Sequence, residues 1–161
     1  MSSFVLDLAR LPQGSSQVIL EADATELGLP AEGWPGRVAG EHRVERNGER
    51  ITVRGQVRGV AWLECVRCLR GYELALAVPL EVFAERAGTG SRREEVELER
   101  DDYMMFHDGR KLDLSEQARE ALLLELPIAS HCREDCKGLC PRCGADLNDG
   151  PCACPDRIAV P

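Results

Sequence analysis

Apolar and polar residues alternate along the first half of this chain. Phe4, Leu6 and Leu8 alternate with Val5, Asp7 and Ala9, and Val18 and Leu20 with Gln17, Ile19 and Glu21, the period-two pattern of strands with one buried face. From Leu29-Pro30 to Trp34-Pro35-Gly36 the breakers predict a loop that carries Trp34 as a lid on the core. Next comes the strongest turn signal. Asn47-Gly48 separates two alternating runs, Arg37 to Arg46 and Glu49 to Val53, and predicts a hairpin whose Asn-Gly pair takes the positive φ values of a type I′ turn. The second run continues through Val57, Val60 and Trp62, is interrupted at 64–71, and resumes from Tyr72 to Val78.

Beyond it the pattern changes. Residues 86–100, with Arg92 and Arg93, are charged and almost free of large apolar groups, which predicts a loop with a solvated charge run. Tyr103 to Phe106 reads as a short strand turned by Asp108-Gly109, with His107 solvated beside the turn. Residues 113–126 read as a helix: Asp113 and Glu116 form a capping-box-like pair, Leu114, Ala118, Ala121 and Leu122 share one face, and Pro127 ends it. Glu116, Glu120 and Glu125 have no His or Ser constellation beside them and solvate the outer face. The fold class expected is α+β: a mainly antiparallel, barrel-like β-sheet, one packed helix, and a Cys-rich zinc-knuckle tail. Residues 1–129 form the β-rich domain with its helix, and residues 130–161 form the metal-binding tail, packed on the 65–68 knuckle.

Composition narrows the function. At 161 residues one core suffices, filled by aliphatic side chains because aromatics are only 4%. A net charge of -8 excludes a generally basic nucleic-acid binder, so any RNA contact is local. The opening MSSFVLDLARLPQGSS has no basic region followed by a long apolar core, and no stretch is long enough to span a membrane. A soluble cytoplasmic protein is expected, without a membrane partner or a small-molecule substrate.

Compartment then decides the reading of eight cysteines, which in a reducing cytosol stay thiols rather than pair as disulfides. Cys65 and Cys68 sit at a hairpin tip, where a tight turn aims thiolates and N–H groups at one point, and two ligands need a distant pair to complete a tetrahedron. Apolar alternation on both sides separates this motif from a strand-to-helix redox CxxC. In the tail, Cys140-Pro141-Arg142-Cys143-Gly144 is a second knuckle. Chain order groups Cys65, Cys68, Cys132 and Cys136 as one site and Cys140, Cys143, Cys152 and Cys154 as another, giving two zinc ions. A rival arrangement joins the two knuckles to each other, and His131 can replace a cysteine in either. Four thiolates leave no open position for water, so the zinc is structural and no catalytic residue is assigned.

ECVRCL at 64–69, the helix DLSEQAREALLLELP and the run HCREDCKGLCPRCGADLNDGPC together resemble the YceD family, the large ribosomal RNA subunit accumulation proteins. The resemblance covers residues 5–155, the N-terminal strands by pattern alone. It implies a non-enzymatic ribosome biogenesis factor that supports accumulation or processing of large-subunit (23S) rRNA, with that rRNA or a pre-ribosomal particle as partner. Arg67, Arg70, Arg133, Lys137 and Arg142 lie in or beside the cysteine motifs and are the candidate phosphate ligands. The same charges can instead neutralise the thiolate sites. Two alternative functions are an adaptor whose acidic surface meets a basic ribosomal protein and, less favoured, a thiol redox enzyme.

Overall fold

A computed structural model describes residues 4–88 and 104–154. Seven strands occur among them: β1 (Val5–Asp7), β2 (Gly14–Asp23), β3 (Arg37–Asn47), β4 (Arg50–Glu64), β5 (Gly71–Arg86), β6 (Met104–His107) and β7 (Lys111–Asp113), followed by a helix, Ser115–Leu124. β1 pairs antiparallel with β7, and the other five form a sheet in the order β2-β3-β4-β5-β6. The β2–β3 and β3–β4 pairs are antiparallel, the second joined by a two-residue turn and the first by the longer connection 24–36, while β6 lies parallel to β5. Among the described residues no helix is long and apolar enough to cross a membrane.

By internal contacts the chain forms two compact units, Met1–Ala61 with Ala75–Leu126, and Trp62–Leu74 with Pro127–Pro161. The first unit owns the aliphatic core. Leu20 and Ala22 of β2, Val38 and Val44 of β3, Ile51, Val53 and Val57 of β4, and Val78 to Ala84 at alternate positions of β5 are buried. Phe4, Leu6, Leu8, Leu112 and the lid Trp34 are buried with them. From the helix and its N-cap come Leu114, Ala118 and Leu122, with Ala121 half-buried; each leucine contributes about 2 kcal/mol by leaving water. Leu122, Trp34 and Val38 meet over Gly59 of β4, each 3.6 Å from where a Cβ would stand, an ordinary van der Waals distance. The outer face of the sheet carries cross-strand ion pairs instead, Arg54 with Glu81 at 2.6 Å and Arg50 with Glu85 at 3.8 Å.

Four local readings differ from the sequence expectation. The helix starts at Ser115 rather than Asp113, because Asp113 closes β7 against Val5 and its carboxylate accepts the Ser115 N–H at 2.9 Å. The β3–β4 loop is Gly48-Glu49, with Gly48 at φ 64° and Asn47 still paired with Arg50, so only one turn residue takes positive φ. Register is the reason: His42 falls opposite Gly55, where a Cβ would collide with the Glu41 carbonyl and with His42 Cδ2 (2.8 Å). His107 is buried, not solvated; its Nε2 lies 3.0 Å from the Glu49 carbonyl and its Nδ1 accepts the Gly109 N–H. Arg86 ends β5, paired with His107. The rest of the expected charged loop, including Arg92 and Arg93, and Tyr103 of the expected strand lie outside the described residues.

Candidate metal centres

The second unit has almost no apolar interior. Its buried hydrophobic positions among the described residues are Cys65, Cys68, Cys136 and Cys140. Tyr72, Leu139 and Cys132 pack partly buried against the first three. A unit whose core is sulfur has little water-exclusion energy to fold with, and that is the circumstance in which small domains rely on a metal.

The turns that present the thiols are built alike. In 65–70, Leu69 N–H donates to the Cys65 carbonyl at 2.8 Å and Cys65 N–H to the Arg70 carbonyl at 2.9 Å. In 140–145, Gly144 N–H donates to the Cys140 carbonyl at 2.9 Å and Cys140 N–H to the Ala145 carbonyl at 2.8 Å. Both turns close through a residue at positive φ, Gly144 at 74° and Leu69 at 60°, the latter the only non-glycine of that kind among the described residues. A leucine there costs about 1–2 kcal/mol that glycine does not. The first turn is tied to the tail by Val66 N–H on the Ser130 carbonyl, Ser130 Oγ on the Glu64 carbonyl, and Leu139 N–H on the Arg67 carbonyl.

These turns gather two quartets, Cys65, Cys68, Cys132 and Cys136, and Cys140, Cys143, Cys152 and Cys154, each with its sulfurs within 4.8 Å of one another. The structure thus holds the grouping by chain order and not the knuckle-to-knuckle grouping, and His131 stands outside both. Sulfur separations are 3.7 Å for Cys65–Cys136 and Cys68–Cys132 and 3.5 Å for Cys140–Cys152. A tetrahedron with metal–sulfur bonds of about 2.3 Å has edges of about 3.8 Å, whereas a disulfide needs about 2.05 Å. The geometry fits an ion in each quartet.

Charge points the same way. Burial pushes the Cys65 thiol up, but backbone hydrogen bonds from Cys132, Cys68 and Arg67 outweigh it and hold it at about 6. Burial and then the neighbouring thiols push Cys132 up to about 12. In the second quartet the N–H groups of Cys143 and Arg142 hold Cys140 at about 6, while the Cys143 thiol and burial push Cys154 up to about 12. Four sulfurs so close cannot all ionise unaided, and a divalent cation is what makes all four thiolates.

Most of the candidate phosphate ligands are engaged within the unit. Arg70 Nε lies 2.8 Å from Asp146 Oδ2 and its Nη2 2.6 Å from Asp149 Oδ2. Arg67 Nη1 donates to the carbonyls of Cys136 at 3.1 Å and Glu134 at 3.3 Å, which fixes the side chain without cancelling its charge. Arg133 donates to Asn148 Oδ1 and pairs with Asp135 at 3.3 Å. All five side chains, Lys137 and Arg142 included, belong to exposed residues. The sequence reading passed over Asn148, whose Nδ2 donates to Cys136 Sγ at 3.4 Å and whose Oδ1 accepts the Lys137 N–H. Its signal is the Asp-Leu-Asn-Asp-Gly turn at 146–150, enclosed between two pairs of ligands.

A family model described as large ribosomal RNA subunit accumulation protein YceD matches residues 53–160. An uncharacterized protein of Mycobacterium leprae is 35% identical over 125 residues, covering 78% of this chain and 56% of its own length. One from Mycobacterium tuberculosis is 37% identical over 111 residues, covering 68% of this chain and 51% of its own. The large ribosomal RNA subunit accumulation protein YCED homolog 1, chloroplastic, of Zea mays is 30% identical over 138 residues, covering 71% and 47%. The chain therefore spans about half the length of these curated relatives. No solved structure matches it. With two thiol quartets on a β-rich scaffold and a family model matched over most of its length, the chain belongs to the YceD family, named for accumulation of the large ribosomal RNA subunit.

Proposed function

We propose that this chain is a non-enzymatic, cytoplasmic ribosome biogenesis factor that supports accumulation of large-subunit rRNA by binding that RNA, or a pre-ribosomal particle, through a basic surface organised by two zinc ions. Family membership carries the reading. The positions of Arg67, Lys137 and Arg142, in or beside the cysteine turns of one small unit, supply the cations an RNA backbone needs in an otherwise acidic chain. Zinc is supported by all-thiolate quartets at tetrahedral spacing. When bound it supplies a structural cross-link.

The test is association with purified large-subunit rRNA at several salt concentrations, for the zinc-loaded protein and for R67E/K137E/R142E. The variant is expected to bind about tenfold or more weakly and with a flatter salt dependence. Equal binding would remove the direct-contact reading.

Exposed apolar side chains in the same unit favour a second reading. Trp62, Val66 and Leu69 are 49%, 55% and 57% exposed, and an acidic molecule with such a patch suits a basic ribosomal protein as partner. Association that survives nuclease and is lost in V66S/L69S would favour this adaptor role.

A further inference from the structure

We propose that segment 144–151, closed at both ends by the second cysteine quartet, is an acidic strap that engages the donors of Arg70 and Arg133 and limits RNA binding while that quartet holds its ion. The inference rests on the RNA reading above and adds its regulation.

The strap begins where Cys143 ends the second knuckle and finishes where Cys152 returns to the same quartet, so an ion there pins both ends. Between those ends it makes its contacts with the first knuckle and the tail. On the Nε/Nη2 edge of Arg70, Asp149 Oδ2 accepts from Nη2 at 2.6 Å and Asp146 Oδ2 forms an ion pair with Nε at 2.8 Å. Asn148 Oδ1 takes Arg133 Nη2 at 2.8 Å, and Leu147 N–H closes on the Gly138 carbonyl at 2.9 Å. Phosphate binds arginine through the same fork of N–H donors, so carboxylates seated in it compete directly with an RNA backbone. Two carboxylates on one guanidinium also leave that spot with net negative charge, which repels phosphate at short range.

The two quartets differ in accessibility in the way such a device needs. Three of four sulfur-bearing residues in the first are buried, whereas in the second Cys143 is exposed and Cys152 and Cys154 are half-buried. Asn148 donates to Cys136 Sγ of the first quartet; among the described residues no such side-chain amide reaches the second. A chelator or competing thiol therefore reaches the second ion first. Losing it removes the closure of the 144–151 loop, frees the strap to sample open states, and releases Arg70 from its two carboxylates and Arg133 from Asn148.

The test uses the full zinc-loaded chain, with both sites filled in wild type. Arg70 is labelled with a 1,2-dicarbonyl reagent and followed by peptide mass spectrometry in wild type and in C143S/C154S. In parallel, oligouridylate binding is measured for wild type, C143S/C154S, D146N/D149N and the charge-matched control E64Q/E73Q, whose carboxylates enter no ion pair among the described residues. A cobalt-substituted sample checks that the first quartet keeps its thiolate-to-metal absorption. Expected are several-fold faster Arg70 labelling in C143S/C154S, and tighter RNA binding in C143S/C154S and D146N/D149N than in the control, with a salt slope steeper by about 0.7 in D146N/D149N, which releases Arg70 alone, and by up to about 1.4 in C143S/C154S, where Arg133 also loses Asn148. Unchanged labelling, or a control that gains as much as D146N/D149N, overturns the strap. Labelling that rises while no form of the protein binds RNA overturns the RNA reading itself.

Discussion

His42 lies on the inner face of β3 with no exposed surface, its ring edge-on to Phe4 at 6.2 Å, and neither ring nitrogen has a partner. Burial lowers its pKa from the ordinary 6.5. The unfolded chain then binds a proton that the folded chain refuses, so this group's contribution to stability is complete above about pH 6.5 and is lost as pH falls through and below that value. Stability to urea is expected to drop between about pH 7.5 and about pH 5, and His42→Phe to flatten that slope whatever it does to absolute stability. An unchanged slope in the variant would assign the acid loss to other groups. Nothing in the alternation of Val38, Gly40, His42 and Val44 marks His42 as special. Its burial depends on Gly55 facing it from β4, a cross-strand fact that a one-strand pattern cannot contain.

At the scale of elements, the two cysteine turns are one design used twice with different residues at the closing position. Gly144 takes positive φ freely, whereas Leu69 takes it at a cost and puts an exposed apolar side chain at the first turn's tip. The turns also differ in dependence. The second hangs on the first through Leu139 N–H on the Arg67 carbonyl and Asn148 on Cys136, while the first is held by Ser130, whose carbonyl accepts the Val66 N–H and whose hydroxyl donates to the Glu64 carbonyl. Native mass spectrometry is therefore expected to find one ion in C143S/C154S and none in C65S/C68S. Two independent losses of one ion each would refute this order. Both turns were legible from CxxC spacing and from alternation on either side of Cys65. The helix was legible from its period, but its start was not, because Asp113 serves β7 and the cap at once.

For the whole molecule, an aliphatic core sustains one unit and eight sulfurs the other. A strong chelator is expected to abolish protection from hydrogen exchange in 65–70 and 132–147 while β2 to β4 below residue 61 stay protected. Protection lost in both sets together would show that the metal supports the entire chain. The sequence by itself determined the long strands, a hairpin near Gly48, the body of the helix and the eight candidate ligands, because each follows from a local period or a short spacing that neighbours along the chain enforce. That the chain-order grouping of the sulfurs prevails over the knuckle-to-knuckle one, that His42 and His107 are buried, and that Arg70 is spent on Asp146 and Asp149 were decided only by tertiary structure. Those outcomes depend on groups up to about eighty residues apart, Arg70 and Asp149 being 79 apart along the chain. Long-range pairing is selected by the sum of packing, charge and ligand geometry over the folded chain, not by any segment of it.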